Sequence, residues 1–150
     1  MQVEFAGAAR EVTGSCHIVR VAGRTILLDC GLFQGRRADV QAKNLRLPVA
    51  VHEIDAVVLS HAHIDHAGRL PFLVRSGYRG VIHATKATRD LSEVMLADSA
   101  YIQEKDAEFL TRRKREHHEP LYGIQHATAT IEQMRPHAYG QPFEVVPGVR

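Results

Sequence analysis

The stretch Asp55-Ala-Val-Val-Leu-Ser-His61-Ala-His63-Ile-Asp65-His66-Ala-Gly68-Arg-Leu70 constrains this chain more than any other. Val57, Val58 and Leu59 form an uninterrupted apolar run, the pattern of a strand buried on both faces, expected over 54–60. Ser60 ends the run, and three histidines and an aspartate follow at once. Gly68 and the apolar set Leu70, Phe72 and Leu73 then read as a short helix starting near His66, with Pro71 tolerated only in its first turn. A buried strand that hands over to a helix is a unit of an α/β sheet, and in open sheets of that kind ligands bind at the carboxyl ends of the strands.

The spacing of the polar cluster has a chemical meaning. His61 and His63 are two residues apart, so in extended backbone their imidazoles point the same way and can hold one metal ion. Asp65 and His66 come after the chain has begun to turn and can reach a second ion beside the first. Imidazole with carboxylate suits zinc best, with manganese or iron behind it. Two such ions about 3.5–4 Å apart make a hydrolytic centre, because together they acidify water and clamp the oxygens of a displacement.

Around this centre the chain alternates strand-like and helical patterns. Val3 and Phe5 alternate with polar neighbours and suggest a first strand; Cys16, Ile18, Val19 and Val21 a second; Thr25–Leu28 a third, joined to the second by a tight turn at Ala22-Gly23-Arg24. Leu32 to Pro48 is a long polar passage without clear periodicity, carrying Arg36, Arg37 and Lys43. Val81–Ala84 is a short strand in which His83 is expected to be packed rather than to bind a ligand. A helix is expected over 85–103, with Leu91, Val94 or Met95, Asp98 and Ile102 recurring along it and Met95 in the core. The basic run Arg112–Arg115 reads as a solvated helix end. Residues 124–135 are weakly helical, with Ile124, Ala127, Ile131 and Met134 on one stripe. Phe143, Val145 and Val146 are expected to form a strand before a turn at Pro147-Gly148.

Composition narrows the class. With 150 residues, 45% of them hydrophobic, the chain can bury one core. A net charge of +2 permits a nucleic-acid partner without arguing for one. Cys16 and Cys30 are expected to be buried free thiols, since two cysteines make no disulfide framework. The opening Met-Gln-Val-Glu-Phe lacks the features of a signal peptide, and no apolar stretch approaches the ~20 residues that span a bilayer. A cytoplasmic location with no membrane partner is the expectation.

His61-Ala-His63-Ile-Asp65-His66 resembles the H-x-H-x-D-H signature of the metallo-β-lactamase-fold hydrolases. Gly7–Cys16, Ile26–Gly35 and Ala87–Leu91 are similar to the corresponding stretches of its β-CASP branch, whose members process RNA. The resemblance implies a metal-dependent phosphodiesterase acting on RNA, with two zinc ions in the intact site. His61 and His63 would serve one metal; Asp65 and His66 would serve the other. It makes Asp65 and Asp29 the catalytic carboxylates, Asp65 orienting water and Asp29 hydrogen-bonding within the metal-site network. On its residues alone, Asp29 also reads as a turn-capping aspartate. Other branches of the same superfamily hydrolyse small esters or thioesters, and a non-catalytic half-domain pairing with another chain is the contrasting reading.

The resemblance also implies parts that these residues do not contain: a third histidine, a bridging aspartate, a cap domain and further histidine motifs. Residues 1–150 are therefore expected to be the N-terminal part of a metallo-β-lactamase domain, the first half of an α/β/β/α sandwich built on a mixed sheet with flanking helices. On that expectation the isolated piece is inactive, binds zinc weakly, and self-associates through an uncovered sheet face.

Overall fold

Residues 1–114 and 117–150 are described by the computed structural model, and they build one six-stranded mixed sheet with helices on one face. Strands β1 (Gln2–Phe5), β2 (His17–Val21) and β3 (Arg24–Leu28) are antiparallel neighbours. Strands β4 (Ala56–Val58), β5 (Val81–Thr85) and β6 (Met134–His137) follow in parallel, so order across the sheet is order along the chain. Ala22 and Gly23 close the β2–β3 hairpin with φ of 51° and 72°, the left-handed pair that a two-residue turn needs to match strand twist. Parallel strands require crossovers, and these carry α1 (Arg37–Asn44), then α2 (Ile64–Ala67) with α3 (Leu70–Arg75), then α4 (Lys86–Lys114) with α5 (Ile124–Gln133).

Pairing register puts Ile18, Leu27, Val57, Ile82 and Met134 in one row across the sheet, all buried on the helix-covered face. Leu70 and Leu73 of α3, Leu96 and Ala100 of α4, and Ala127 and Ile131 of α5 close over that row as one core. Each large side chain sealed there is worth about 1.5–3 kcal/mol, which is what fixes β4 as the middle of the sheet. The four expected strands around residues 16–21, 25–29, 54–60 and 81–84 all form, β4 shorter than expected.

The structure departs from the sequence reading in five places, four of them on the helices and β6. The polar passage 32–48 contains α1, an exposed helix with no buried residue. The expected helix near His66 is two: α2 begins at Ile64, and α3 restarts at Leu70, with Pro71 in its first turn where no N–H is needed. Along α4 the buried residues are Thr88, Ser92, Leu96, Ala100 and Ala107, whereas Leu91, Val94 and Ile102 face outward and Met95 is half-buried. Small side chains let this helix approach the sheet closely, so size rather than hydrophobicity selects its inner face. Met134 leaves the α5 stripe to open β6, because Pro136 cannot continue a helix and biases its predecessor to extended backbone. That proline is accommodated on an edge strand.

Residues 143–146 do not form the expected strand. They run over the second face of the sheet as a loop closed by an isolated bridge between Val146 and Val149. Val145, Val146 and Val149 cover Ile26 and Ala56, while Val3, Phe5 and Leu28 on the same face stay exposed. The face expected to be open is thus covered at its centre and open toward β1. His83 is packed on this face as expected: its Nδ1 lies 2.8 Å from Nε2 of His137, and both rings stack on Phe143. Of the basic run, Arg112 and Arg113 lie within the helix and Arg115 falls outside the described residues. No helix among the described residues is long and apolar enough to cross a membrane.

Candidate metal centre

The histidine turn is built at the adjacent carboxyl ends of β3 and β4. The sheet ladder continues past both strands, with Asp29 N–H donating to Val58 O at 2.9 Å and Leu59 N–H to His83 O at 2.8 Å. Ser60 then leaves the sheet, and His63 starts α2, accepting at its carbonyl from His66 and Ala67 N–H. The turn is fastened to two loops by backbone bonds: Ser15 N–H to Asp65 O, Cys30 N–H to His66 O and Leu32 N–H to Ile64 O, at 2.8–3.0 Å. Gly31 permits this approach. A Cβ there would stand 1.6 Å from Asp65 O, so no other residue fits without displacing the turn.

Asp29 is the hub. Its carboxylate is almost wholly buried, with Oδ1 accepting from Ser60 N–H at 2.8 Å and Oδ2 from Ser60 Oγ at 2.9 Å and Ser15 Oγ at 3.3 Å. The same Oδ2 lies 2.7 Å from His66 Nδ1. Its φ of 62° places it in the left-handed region, which aspartate enters more readily than most residues. That conformation turns the strand end so the carboxylate faces the histidines. A buried carboxylate accepting at Oδ2 fixes His66 with its proton on Nδ1, leaving Nε2 as the lone pair directed outward. Nε2 stands 3.6 Å from Asp65 Oδ2.

Ser60 sets the second imidazole in the same way. Its single hydroxyl proton goes to Asp29, so its oxygen accepts from His61 Nδ1 at 3.0 Å, which leaves His61 Nε2 unprotonated. That nitrogen is 3.2 Å from His63 Nδ1. Two imidazole nitrogens sharing one tetrahedral ion with bonds of about 2.0–2.1 Å sit roughly 3.3 Å apart, so this donor pair fits a zinc-sized cation. Burial, then the neighbouring His66 and His63, hold His61 below the ordinary histidine range, which favours the neutral form that ligation requires. His61 and His66 lie with ring centroids 4.0 Å apart.

The four residues singled out by spacing are thus brought together as two donor pairs, His61 with His63 and Asp65 with His66, with Asp29 beneath them. Among the described residues, no set of three or more His, Cys, Asp or Glu side chains forms a complete cage for one ion. Ser60 and His63 are exposed, and His61, Asp65 and His66 half-exposed, so the centre opens on the surface.

Three contributors were not singled out by sequence reasoning. Ser60 and Ser15 act through Asp29, and no spacing rule marks them. Arg69 is 1% exposed; Nε donates to Gly31 O at 2.6 Å and Nη1 to Lys43 O and Arg46 O at 3.1 and 2.9 Å, with the guanidinium over the Phe33 ring. It ties the 31–46 passage to the histidine turn. The only hint is its place one residue beyond Gly68, where a surface arginine was equally consistent. Cys16 and Cys30 are buried free thiols beside this network, and the hydrogen bond to Cys30, then burial, push the Cys16 thiol far up, so it stays protonated.

Comparison with known proteins places this geometry in a family. Residues 9–137 match the model of the metallo-beta-lactamase superfamily. Over 143 residues the chain is 41% identical to Ribonuclease TTHA0252 of Thermus thermophilus, covering 94% of this chain and 29% of that protein. It is 30% identical to Transcription termination factor FttA of Methanocaldococcus jannaschii, across the whole of this chain and 22% of the factor. It is 35% identical to Cleavage and polyadenylation specificity factor 73 of Drosophila melanogaster over 65% of this chain and 14% of that protein. The chain therefore spans less than a third of the length of these relatives. The chain belongs to the metallo-beta-lactamase superfamily, and within it to the β-CASP branch that the stretches flanking its histidine turn resemble.

Proposed function

We propose that this chain carries part of the catalytic centre of a metal-dependent phosphodiester hydrolase acting on RNA, working in the cytoplasm with zinc as its metal. The observation that carries the reading is the hydrogen-bonded relay Ser60–Asp29–His66. It sets the tautomers of His61 and His66 so that unprotonated nitrogens face the surface at a strand's carboxyl end. A relay of that kind has no use in a structural turn, where either tautomer would serve. Support for the substrate comes from relatives named as a ribonuclease and as a cleavage and polyadenylation factor.

His61 and His63 would hold one zinc ion; Asp65 and His66 would contribute to a second. Bound zinc supplies Lewis acidity, lowering the pKa of water and neutralising charge on phosphate oxygens. Asp29 keeps the proton of His66 on Nδ1, and Ser60 does the same for His61. Asp65, half-exposed beside His66 Nε2, orients the attacking water and takes up its proton at Oδ2. The open setting of the cluster suits a polymer, which must lie across the site and extend on both sides of it. We also place residues 1–150 as the N-terminal part of a longer domain, because the relatives extend well beyond the matched region and the family resemblance implies ligands not found among these residues.

The test is cleavage of a labelled single-stranded RNA by the whole protein that contains residues 1–150, loaded with zinc. Cleavage that is lost in the His61→Ala, His63→Ala double variant is expected. Hydrolysis of a small thioester with the RNA left intact would overturn the substrate reading.

A further inference from the structure

Helix α4 has two apolar faces, and the core uses one of them. The inner face is the small-residue stripe through Ser92, Leu96 and Ala100. The outer face carries Leu91, Val94, Tyr101, Ile102 and Phe109, which are 52%, 67%, 59%, 50% and 57% exposed. These positions recur at three and four residues, so they fall on one stripe along the helix with Asp98 and Lys105 between them. Together they make an apolar patch on the order of 500 Å², at the upper end for the surface of a monomer. Large apolar residues facing water along about five turns, while smaller ones face the core, is the reverse of what a solvent-facing helix needs.

The two charges on the stripe say what can cover it. In a parallel pairing of two copies, Asp98 would meet the partner's Asp98 and Lys105 the partner's Lys105, both repulsive. In an antiparallel pairing centred between Tyr101 and Ile102, Asp98 meets the partner's Lys105 and Lys105 the partner's Asp98. The same register sets Val94 against the partner's Phe109, Tyr101 against the partner's Ile102, and Leu91 along the stem of the partner's Arg112. Every apolar residue of the stripe thereby finds an apolar surface, and both charges are matched twice over by symmetry. We propose that the outer face of α4 is a twofold docking surface for a second copy of this chain, packed antiparallel with the Asp98–Lys105 pairs fixing register.

Such an interface buries about 1,000 Å² in total from the stripe alone, the lower bound for a specific contact, so a micromolar dimer is expected. In the isolated chain Lys105 pairs with Glu108 at 3.1 Å and lies over the Tyr101 ring at 5.7 Å, and the exposed ion pair yields at little cost. The interface is independent of the metal centre and of the function proposed for it.

Sedimentation velocity of the 150-residue chain up to about 500 µM tests the assignment. The wild type should show a concentration-dependent monomer–dimer exchange. Asp98→Lys and Lys105→Asp should each weaken it by about tenfold or more, since each places like charges across the axis. The double variant Asp98→Lys, Lys105→Asp should restore association to near the wild-type level, as should an equimolar mixture of the two single variants. Both positions are on the surface, and far-UV circular dichroism confirms that each variant is folded. A wild type that stays monomeric would overturn the proposal. So would single variants that associate as tightly as the wild type, which would place self-association elsewhere, such as the open part of the sheet near β1. A double variant that fails to recover would refute the antiparallel register.

Discussion

Replacing Asp29 by Asn separates the electrostatic part of the centre from its shape. The two side chains are isosteric, and asparagine also enters the left-handed region that Asp29 occupies at φ 62°. The backbone turn should therefore survive. Ser60 N–H keeps an amide oxygen to donate to in place of Oδ1, and the Ser60 hydroxyl can rotate to accept one proton of the new NH2, leaving the other for His66. His66 has no such freedom: with an N–H donor 2.7 Å from its Nδ1, that nitrogen becomes the acceptor and the proton moves to Nε2. The lone pair meant for metal is then lost.

Loss of a charge-assisted bond at this buried carboxylate should lower stability by about 1.5–3 kcal/mol. Zinc affinity should fall by about 10–100-fold, the range for removing a ligand's hydrogen-bond partner. Nitrogen chemical shifts of His66 report the tautomer directly, and chelator competition reports affinity. A variant in which His66 keeps its proton on Nδ1, with zinc affinity unchanged, would refute the argument that Asp29 sets the ligand.

Three further outcomes follow from the same contacts. Arg69→Met leaves the Gly31 and Arg46 carbonyls without their side-chain donor, while Lys43 O keeps Arg46 N–H, and at about 1–3 kcal/mol for each carbonyl left unpaired the loss should reach about 3 kcal/mol in urea unfolding; a loss below about 1 kcal/mol would show that the clamp is not structural. Gly31→Ala drives a methyl into Asp65 O, so it should cost about 1–3 kcal/mol or more and weaken zinc binding as well; full affinity would mean that the turn adapts without moving its ligands. Burial, then the neighbouring His137, depresses the pKa of His83, so the unfolded chain takes up a proton near pH 6.5 that the folded chain refuses. Stability is therefore complete above about pH 6.5 and falls as pH drops below it toward the folded pKa; His83→Phe should flatten that slope, and an unchanged slope would exclude His83 as its source.

Sequence reading reaches furthest where local pattern and tertiary role coincide. The run Val57–Leu59 had to be a buried strand, and the histidines two apart had to share a side, so β4 and the metal centre were visible together. The β2–β3 hairpin was visible because a short glycine-containing break separates two strand-like runs. What stayed hidden depended on partners distant in sequence. The inner face of α4 is chosen by how closely the sheet can be approached, which favours Ser92 and Ala100 over the larger Leu91 and Val94. The roles of Ser15, Ser60 and Arg69 exist only once three loops meet. Strand β6 was hidden because Met134 fits a helical stripe, and only Pro136 argues otherwise.

The central claim is that His61, His63, Asp65 and His66 form a metal centre held by Asp29. Calorimetric titration of this chain with zinc tests it most directly, at pH 7.5 and again below pH 6. The account predicts zinc binding at the higher pH that is weak enough for a chelator to strip and that falls away at the lower pH, where protons compete with the metal for the ligating nitrogens. It predicts no binding in the His61→Ala, His63→Ala variant. Equal affinity in the two proteins would contradict it, and the function built on the cluster would go with it.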